Sequence, residues 1–179
     1  MGGAGVSGLD RGRVAQLRVE YSSGASRGSG YRITSTAVLT AAHVVAKARA
    51  VQVVFNPDLP DEWSVPARIE VCERAADVAV LAIDPPESHR GVQSANFGQV
   101  GMRPAVLACR AVGFPRFKLR PGQAASGAVA QPYRDVHQAD GTISSLSNWR
   151  EGTLEITVPV PPDPDPGHSP WEGMSGAAV

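Results

Sequence analysis

Short, valine-rich apolar runs separated by glycine and proline are the feature of this sequence that most limits its fold. The 179 residues include 19 glycines and 15 prolines, and these are spread along the whole chain. No long stretch keeps the 3.6-residue period of an amphipathic helix. The pattern therefore predicts an all-β protein built from many short strands.

The predicted strands fall into two groups with a less apolar segment between them. They are predicted at residues 14–22, 30–34, 37–39, 51–55, 65–72, 78–83, 105–113, 124–131, 142–146 and 153–160. This divides the chain into an N-terminal tail (1–13), a first β-barrel (14–84), a linker (85–104) and a second β lobe (105–179). Residues 161–170 are predicted to be a surface loop, because proline cannot sit in a central strand. Two antiparallel barrels fit this division, since a closed barrel leaves no exposed edge.

The balance of charge gives no reason to expect a nucleic-acid or membrane partner. The 17 basic and 17 acidic residues cancel, and the isoelectric point is about 6.9. The most apolar region, residues 37–48, is too short to cross a bilayer, and the N-terminus has no apolar stretch typical of a signal peptide. Cys72 and Cys109 lie in predicted strands and are expected to be buried free thiols. We therefore expect a cytoplasmic protein, because such thiols favour a reducing compartment.

Three local features carry residues that could do chemistry. His43 directly follows a predicted strand and two small alanines, which allow a tight turn of the backbone. Asp77 opens an apolar strand, where a partly desolvated carboxylate needs a partner such as an imidazole. Ser175 lies between Gly173 and Gly176, which permit a sharp turn that exposes the hydroxyl. Each feature alone has a plainer interpretation: a packed histidine, a carboxylate that caps a turn, or an ordinary glycine-rich turn.

Taken together, the three residues predict nucleophilic catalysis. His43 and Asp77 fall at the edge of the first lobe and Ser175 falls in the second, so a cleft between the lobes would assemble them. A serine hydroxyl needs a base to take its proton at neutral pH, and an aspartate can fix the imidazole tautomer and stabilise the imidazolium. The turn around Ser175 can also aim the N–H groups of Gly173 and Ser175 at one point, which is the arrangement of an oxyanion hole.

Three blocks of the sequence resemble the signature blocks of trypsin-like serine proteases. The blocks are Thr40-Ala41-Ala42-His43, Asp77-Val78-Ala79-Val80-Leu81 and Gly173-Met174-Ser175-Gly176. Two further segments are similar to strands of bacterial members, namely Ala111-Val112-Gly113-Phe114-Pro115 and Ser126-Gly127-Ala128-Val129. The resemblance covers about residues 14–179.

The resemblance implies an all-β fold of two six-stranded antiparallel β-barrels of the chymotrypsin/trypsin type. It implies that His43 acts as general base and then acid, that Asp77 orients it, and that Ser175 attacks the peptide carbonyl to form an acyl-enzyme. The oxyanion hole would consist of the backbone N–H groups of Gly173 and Ser175. The substrate would be a protein or peptide, and no metal or organic cofactor is implied.

Two departures from the family pattern affect what can be expected. Met174 stands where digestive members have an aspartate that pairs with a newly released N-terminus, so no such activation step is expected. Ala42 stands where a disulfide cysteine is frequent. Both departures fit an intracellular bacterial type related to Deg/HtrA-like and multidomain trypsin-like peptidases. The sequence stops at Val179, whereas family members continue for at least two strands, so we expect an incomplete second barrel and a longer natural chain.

Three functions remain open at this point. The chain could be a serine endopeptidase, part of a larger protein whose C-terminal domains or partner protein supply regulation. It could be a catalytically inactive protease-like binding or regulatory module, or a β-barrel in which the motifs are coincidental. Ser169 aligns near the floor of the specificity pocket, and this small neutral residue argues against a strict preference for arginine or lysine. Small or medium apolar residues are the expected preference.

Overall fold

Strands make up most of the regular structure in the computed structural model, which describes residues 9–98, 106–122, 132–148, 150–151, 153–161 and 167–179. In that part of the chain the strands are β1 (Val14–Tyr21), β2 (Gly24–Arg32), β3 (Ala37–Thr40), β4 (Ala50–Phe55), β5 (Trp63–Glu73), β6 (Val78–Ile83), β7 (Val106–Gly113), β8 (Leu119–Arg120), β9 (Tyr133–Arg134), β10 (His137–Ser144) and β11 (Ile156–Thr157). The α-helix α1 (Ala42–Val45) joins them, together with three short 3-10 turns. No helix of the described residues is long and apolar enough to cross a membrane. The prediction of an all-β protein is confirmed.

The first six strands form a closed antiparallel barrel in the order β1-β2-β3-β6-β5-β4, with β4 pairing back onto β1. Alternation along each strand gives the barrel an apolar interior, because side chains of one parity point inward and those of the other parity point outward. On β1 the inward residues Ala15, Leu17 and Val19 are at most 1% exposed. They meet inward valines, leucines and alanines of the other strands in one apolar core. Each large apolar side chain buried in this way stabilises the fold by about 1.5–3 kcal/mol.

Strand β2 begins six residues earlier than the sequence predicted, at Gly24 rather than at residue 30. It pairs with β1 along its length, from Tyr21↔Gly24 to Val14↔Tyr31, so the two strands form a hairpin. Its first residues are polar or small and are not fully buried, so they lack the apolar alternation of a strand with one face in the core. The prediction therefore missed them, because the signal sought was apolar alternation.

The second part of the chain forms a three-stranded sheet, β11-β10-β7, and a separate pair, β8-β9. The described residues contain one closed barrel, so they do not establish the second six-stranded barrel. The predicted strand at 142–146 is the end of a longer strand, β10, which pairs with β7 from His137↔Gly113 to Ser144↔Val106. The predicted strand at 153–160 is reduced to the two residues of β11. The predicted strand at 124–131 lies outside the described residues.

A buried arginine fixes the chain where it leaves the first barrel. The guanidinium of Arg32 lies over the rings of Trp63 and Phe55, 5.3 and 5.7 Å from their centroids. It donates hydrogen bonds to the carbonyls of Ser35 (2.5 Å) and His89 (2.6 Å). Because His89 belongs to the segment after β6, these bonds tie that segment against the barrel wall.

Both cysteines are free, but the expectation that they are buried is wrong for Cys72, which is exposed. The register between β5 and β6 shifts between Ile69 and Val71, and the hairpin beyond this irregularity is exposed to solvent. A bulge of this kind redirects the side chains that follow it. Cys109 is half-buried on β7.

Candidate active site

His43 and Asp77 form a pair at one end of the first barrel. Strand β3 ends at Thr40, and α1 begins two residues later, which places His43 on the first turn of the helix. The His43 ring nitrogen Nδ1 lies 2.7 Å from Asp77 Oδ2 and 2.9 Å from Oδ1. Because an ionised carboxylate can only accept hydrogen bonds, Nδ1 is the donor, and a neutral ring with its proton on Nδ1 leaves Nε2 free to act as a base.

The backbone around Asp77 is bonded to the same helix. Asp77 Oδ1 accepts the backbone N–H of His43 at 2.9 Å, and the Asp77 carbonyl accepts the N–H of Ala42 at 3.1 Å. Asp77 has a φ of 50°, in the left-handed region that aspartate tolerates better than most residues. A turn closed by the Asp77 N–H and the Arg74 carbonyl leads into this conformation. The contacts hold the carboxylate against both the main chain and the ring of the histidine.

The pKa of Asp77 is lower than its ordinary value. Partial burial opposes ionisation, but hydrogen bonds from the His43 main chain and ring, the charge of His43 and the N–H of Ala42 outweigh it. The carboxylate is therefore ionised at neutral pH. The pair is open to solvent, since 59% of the His43 side chain and 51% of the Asp77 side chain are exposed.

The turn that carries Ser175 is bonded to the first barrel. The Ser175 carbonyl accepts the N–H of Ser29, on β2, at 2.9 Å. Gly28 precedes Ser29, and a Cβ at Gly28 would lie 2.6 Å from Val44 Cγ1 and 3.6 Å from the Ser175 carbonyl oxygen. Because Val44 follows His43 on α1, Ser175 lies beside the helix that carries the histidine.

The geometry joins the three predicted residues only in part. His43 and Asp77 are hydrogen-bonded, but within the described residues no hydrogen bond joins the His43 ring to the Ser175 hydroxyl. Catalytic hydrogen bonds are often long in ligand-free structures and shorten when the substrate binds. The structure thus shows a hydrogen-bonded pair of His43 and Asp77, with Ser175 on a turn beside the helix that carries His43.

The predicted oxyanion-hole groups have no acceptor in the described part of the chain. The turn is closed by the Met174 N–H donating to the Trp171 carbonyl (2.9 Å) and the Ala177 N–H donating to the Met174 carbonyl (2.8 Å). Neither the Gly173 N–H nor the Ser175 N–H donates to a described residue. Two unused donors of this kind can bind an oxyanion.

Ser29 is a buried residue that links the Ser175 turn to the first barrel and to Phe114 in the second part of the chain. Its hydroxyl donates to the Gly173 carbonyl at 2.6 Å and accepts the Phe114 N–H at 3.0 Å. Its own carbonyl accepts the Thr40 hydroxyl at 2.8 Å. Ser29 was not among the site residues predicted from the sequence. Its position between Gly28 and Gly30, where the chain has no side chains to fill the space, is the signal that could have found it.

Replacing Ser29 by alanine is expected to lower the free energy of unfolding by about 2–3 kcal/mol. The change leaves the Gly173 carbonyl and the Phe114 N–H buried without their partner, and each such group costs about 1–3 kcal/mol. Urea denaturation measures the effect. The matched control is Ser64→Ala, which removes an exposed hydroxyl that accepts from Gln52 and should change stability by less than about 0.5 kcal/mol. Equal effects of the two changes would contradict the assigned role of Ser29.

Arg134 is a second residue with a structural role that the sequence did not predict. Its side chain is 8% exposed, and it donates to the Glu172 carbonyl (3.1 Å) and to Glu172 Oε1 (2.9 Å). The N–H of Arg116 donates to the same carbonyl at 2.8 Å. Because the Glu172 carbonyl and the Gly173 N–H belong to one peptide plane, these bonds fix the direction of that N–H. No periodic pattern marks Arg134, since its role depends on contacts distant in sequence.

The pKa of Glu172 is lower than its ordinary value. Burial acts in the opposite direction, but the hydrogen bond and charge of Arg134 outweigh it, with smaller contributions from Arg116 and His168. The Glu172 side chain thus remains a carboxylate at neutral pH. Its ionised form keeps the guanidinium of Arg134 beside the Gly173 peptide.

Ser169 lies on the surface at the start of the turn that leads to Ser175. It is exposed, and its carbonyl accepts the Glu172 N–H at 3.0 Å. Its role in a specificity pocket remains a prediction. The described residues contain no group of three or more histidine, cysteine or acidic side chains placed to hold a metal ion.

The family of the chain follows from its sequence. The family model of the trypsin-like peptidase domain matches residues 28–179, which include His43, Asp77 and Ser175. Because the match covers most of the chain, the protein belongs to the trypsin-like peptidase domain family. None of the curated proteins compared with it matches in sequence.

Solved protease structures share the fold. A serine endoprotease from Yersinia pestis matches 94% of this chain with a TM-score of 0.62 and 18% identity. The HtrA-type protease AlgW with a tripeptide matches 75% with a TM-score of 0.52 and 24% identity. The active form of the Rv3671c protease from M. tuberculosis matches 93% with a TM-score of 0.57 and 17% identity. The chain spans 49%, 36% and 64% of these three proteins, respectively.

Proposed function

We propose that this chain carries the catalytic residues of a serine endopeptidase that hydrolyses peptide bonds through an acyl-enzyme. The observation that carries the proposal is the hydrogen bond of 2.7 Å between His43 Nδ1 and Asp77 Oδ2, on the helix beside the Ser175 turn. This bond leaves Nε2 as the ring atom able to accept a proton. Membership of a peptidase family supports the same assignment.

The proposed reaction starts with proton transfer from the Ser175 hydroxyl to His43 Nε2 as the oxygen attacks the peptide carbonyl. The negative charge on the carbonyl oxygen is stabilised by the N–H groups of Gly173 and Ser175. His43 then gives the proton to the leaving amine, and an acyl-enzyme is left on Ser175. A water molecule hydrolyses this ester with His43 again acting as base. Asp77 remains ionised and stabilises the imidazolium throughout.

The finer features of this proposal concern the surroundings of the site. The sheet β11-β10-β7 would form part of a second six-stranded barrel, and Ser169 would lie near the specificity pocket. The natural protein would be cytoplasmic, with C-terminal domains or a partner protein supplying regulation. These features rest on the resemblance to Deg/HtrA-like and multidomain peptidases.

A second candidate function is a protease-like module without turnover. The specific observation in its favour is the missing hydrogen bond between His43 and Ser175 among the described residues. Such a module would bind peptides in the cleft without cleaving them.

A fluorophosphonate probe and a peptide library separate the two candidates. For an active peptidase we expect covalent labelling and peptide cleavage by the natural full-length chain, both abolished by Ser175→Ala. Ser64→Ala is the matched control, because it removes an exposed hydroxyl that accepts from Gln52 on the first barrel and should leave labelling intact. Peptide binding without labelling or cleavage would favour the inactive module and overturn the proposed function.

A further inference from the structure

Two arginines meet on the outer surface of the first barrel, close to the Ser175 turn. Arg18 on β1 and Arg27 on β2 are directly opposite each other in the antiparallel register. Both contact one buried amide oxygen, Gln16 Oε1, with Arg18 Nε at 3.4 Å and Arg27 Nη1 at 3.5 Å. Like charges directly opposite each other on a sheet are destabilising, so the pair calls for an explanation.

The positive charge at this point is only weakly compensated. Arg27 takes part in none of the ion pairs of the described residues, and Arg18 reaches Glu62 only at 4.0 Å. The pKa of Arg27 is lowered by burial first, then by the charges of Arg134 and Arg18, with Asp58 acting in the opposite direction. The amide nitrogen of Gln16 is buried and has no hydrogen-bond partner. The two guanidinium groups and the Gln16 amide nitrogen thus have more hydrogen-bond donors than there are acceptors among the described residues around them.

The position of Arg27 on its strand places it two residues from Ser29, which contacts the proposed catalytic turn. Arg27 and Ser29 are two residues apart on β2, so their side chains lie on the same face, about 7 Å apart along the strand. The Ser29 hydroxyl donates to the Gly173 carbonyl, and its N–H donates to the Ser175 carbonyl. A distance of about 7 Å corresponds to two residues of an extended peptide.

We propose that Arg27, assisted by Arg18, binds an acidic side chain of the substrate within two residues of the scissile bond. This inference rests on the proposed peptidase function. A carboxylate is the expected ligand because a guanidinium binds it through two parallel hydrogen bonds. Arg27 is half-buried, so it is less hydrated than a surface arginine and still partly accessible to solvent. Arg27 and Arg18 are thus specificity-determining residues for the proposed reaction.

Matched peptide substrates test the proposal. A cleavable peptide with an apolar residue before the scissile bond is prepared with glutamate or glutamine at each of the two positions on either side. For at least one position we expect kcat/KM about fivefold higher with glutamate, the effect of one partly exposed ion pair. Arg27→Gln should remove the preference, so that the glutamate and glutamine peptides are cleaved with equal kcat/KM. Arg27→Glu should favour a peptide with lysine at that position.

A matched variant and a salt series complete the experiment. Arg68→Gln removes an exposed arginine on β5 that pairs with Glu70, and it should keep the glutamate preference. High NaCl should reduce the preference, because exposed charges are screened. Equal cleavage of glutamate and glutamine peptides by the wild type, or a preference that survives in Arg27→Gln, would overturn the inference.

A binding measurement separates failure of this inference from failure of the proposed function. If the wild type cleaves no peptide, the peptidase function fails. The glutamate and glutamine peptides are then labelled with fluorescein. Their binding to Ser175→Ala and to the double variant Ser175→Ala, Arg27→Gln is measured by fluorescence anisotropy. Tighter binding of a glutamate peptide that is lost in the double variant supports the arginine site. Equal binding of both peptides by Ser175→Ala rejects it.

Discussion

Replacing Asp77 by asparagine is expected to lower kcat/KM for peptide hydrolysis by a factor on the order of 10⁴. Asp77 accepts the His43 N–H groups of both the main chain and the ring, at 2.7–2.9 Å. An asparagine has only one side-chain oxygen. If that oxygen accepts the main-chain N–H of His43, the NH₂ group faces the ring nitrogen Nδ1. The ring then turns its proton onto Nε2, which can no longer take the proton of Ser175. Steady-state kinetics of a fluorogenic peptide measures the loss.

The stability of the Asp77→Asn protein separates a catalytic effect from misfolding. We expect the free energy of unfolding to change by no more than about 1–2 kcal/mol, because the asparagine oxygen can keep one hydrogen bond. The matched control is Asp84→Asn, which removes an exposed carboxylate paired with Arg90. It should leave kcat/KM unchanged. Full activity of Asp77→Asn in a folded protein would be incompatible with Asp77 as the orienting residue.

Replacing Gly176 by alanine is expected to abolish activity by a different route. Gly176 has a φ of +82°, in the left-handed region that disfavours any Cβ. A Cβ there would also collide with the Ser29 carbonyl oxygen and the Thr40 hydroxyl, and would lie 3.0 Å from the Ala41 N–H nitrogen. The Ser29 carbonyl and the Ala41 N–H are main-chain groups within β2 and directly after β3, so they cannot move without disturbing the barrel. The turn that carries Ser175 would therefore separate from the barrel.

The expected loss for Gly176→Ala is at least about 10³-fold in kcat/KM, with a loss of stability of about 2–3 kcal/mol. Loss of fluorophosphonate labelling follows, because the turn that carries Ser175 no longer lies beside the helix of His43. Gly91→Ala is the matched control, since a Cβ at Gly91 would meet nothing within 4 Å. It should change neither labelling nor thermal stability. Normal labelling of Gly176→Ala would show that the turn does not depend on this close contact.

The first barrel could be predicted from sequence because its strands alternate with a clear period. Residues 78–83 were predicted as a strand and form β6 with the same bounds, and β1 ends one residue before its predicted end. Inward valines and leucines supply a signal that is local in sequence. The start of β2 was missed because its residues are polar, and polar residues give no apolar alternation.

Only part of the candidate site could be predicted from the sequence. The contact between His43 and Asp77 is anticipated by the order of the motifs, and the family match includes both residues. Ser29 and Arg134 were not predicted, because each acts on a residue far away in the chain: Ser29 is 144 residues from Gly173, and Arg134 is 38 residues from Glu172. A single hydroxyl or guanidinium in a strand has no local pattern that reveals such a partner.

The bonds between Ser29 and the Ser175 turn have a consequence for the exchange of sequence between relatives. The proposed nucleophile is held by atoms of β2 and β3, the same hairpin that leads into the helix of His43. A recombinant that took its second lobe from another family member would keep the nucleophile in place only if glycine remained at 176 and serine at 29. The rest of the second lobe can therefore diverge in sequence, whereas serine at 29 and glycine at 176 must be kept together because they contact each other across the two parts of the chain.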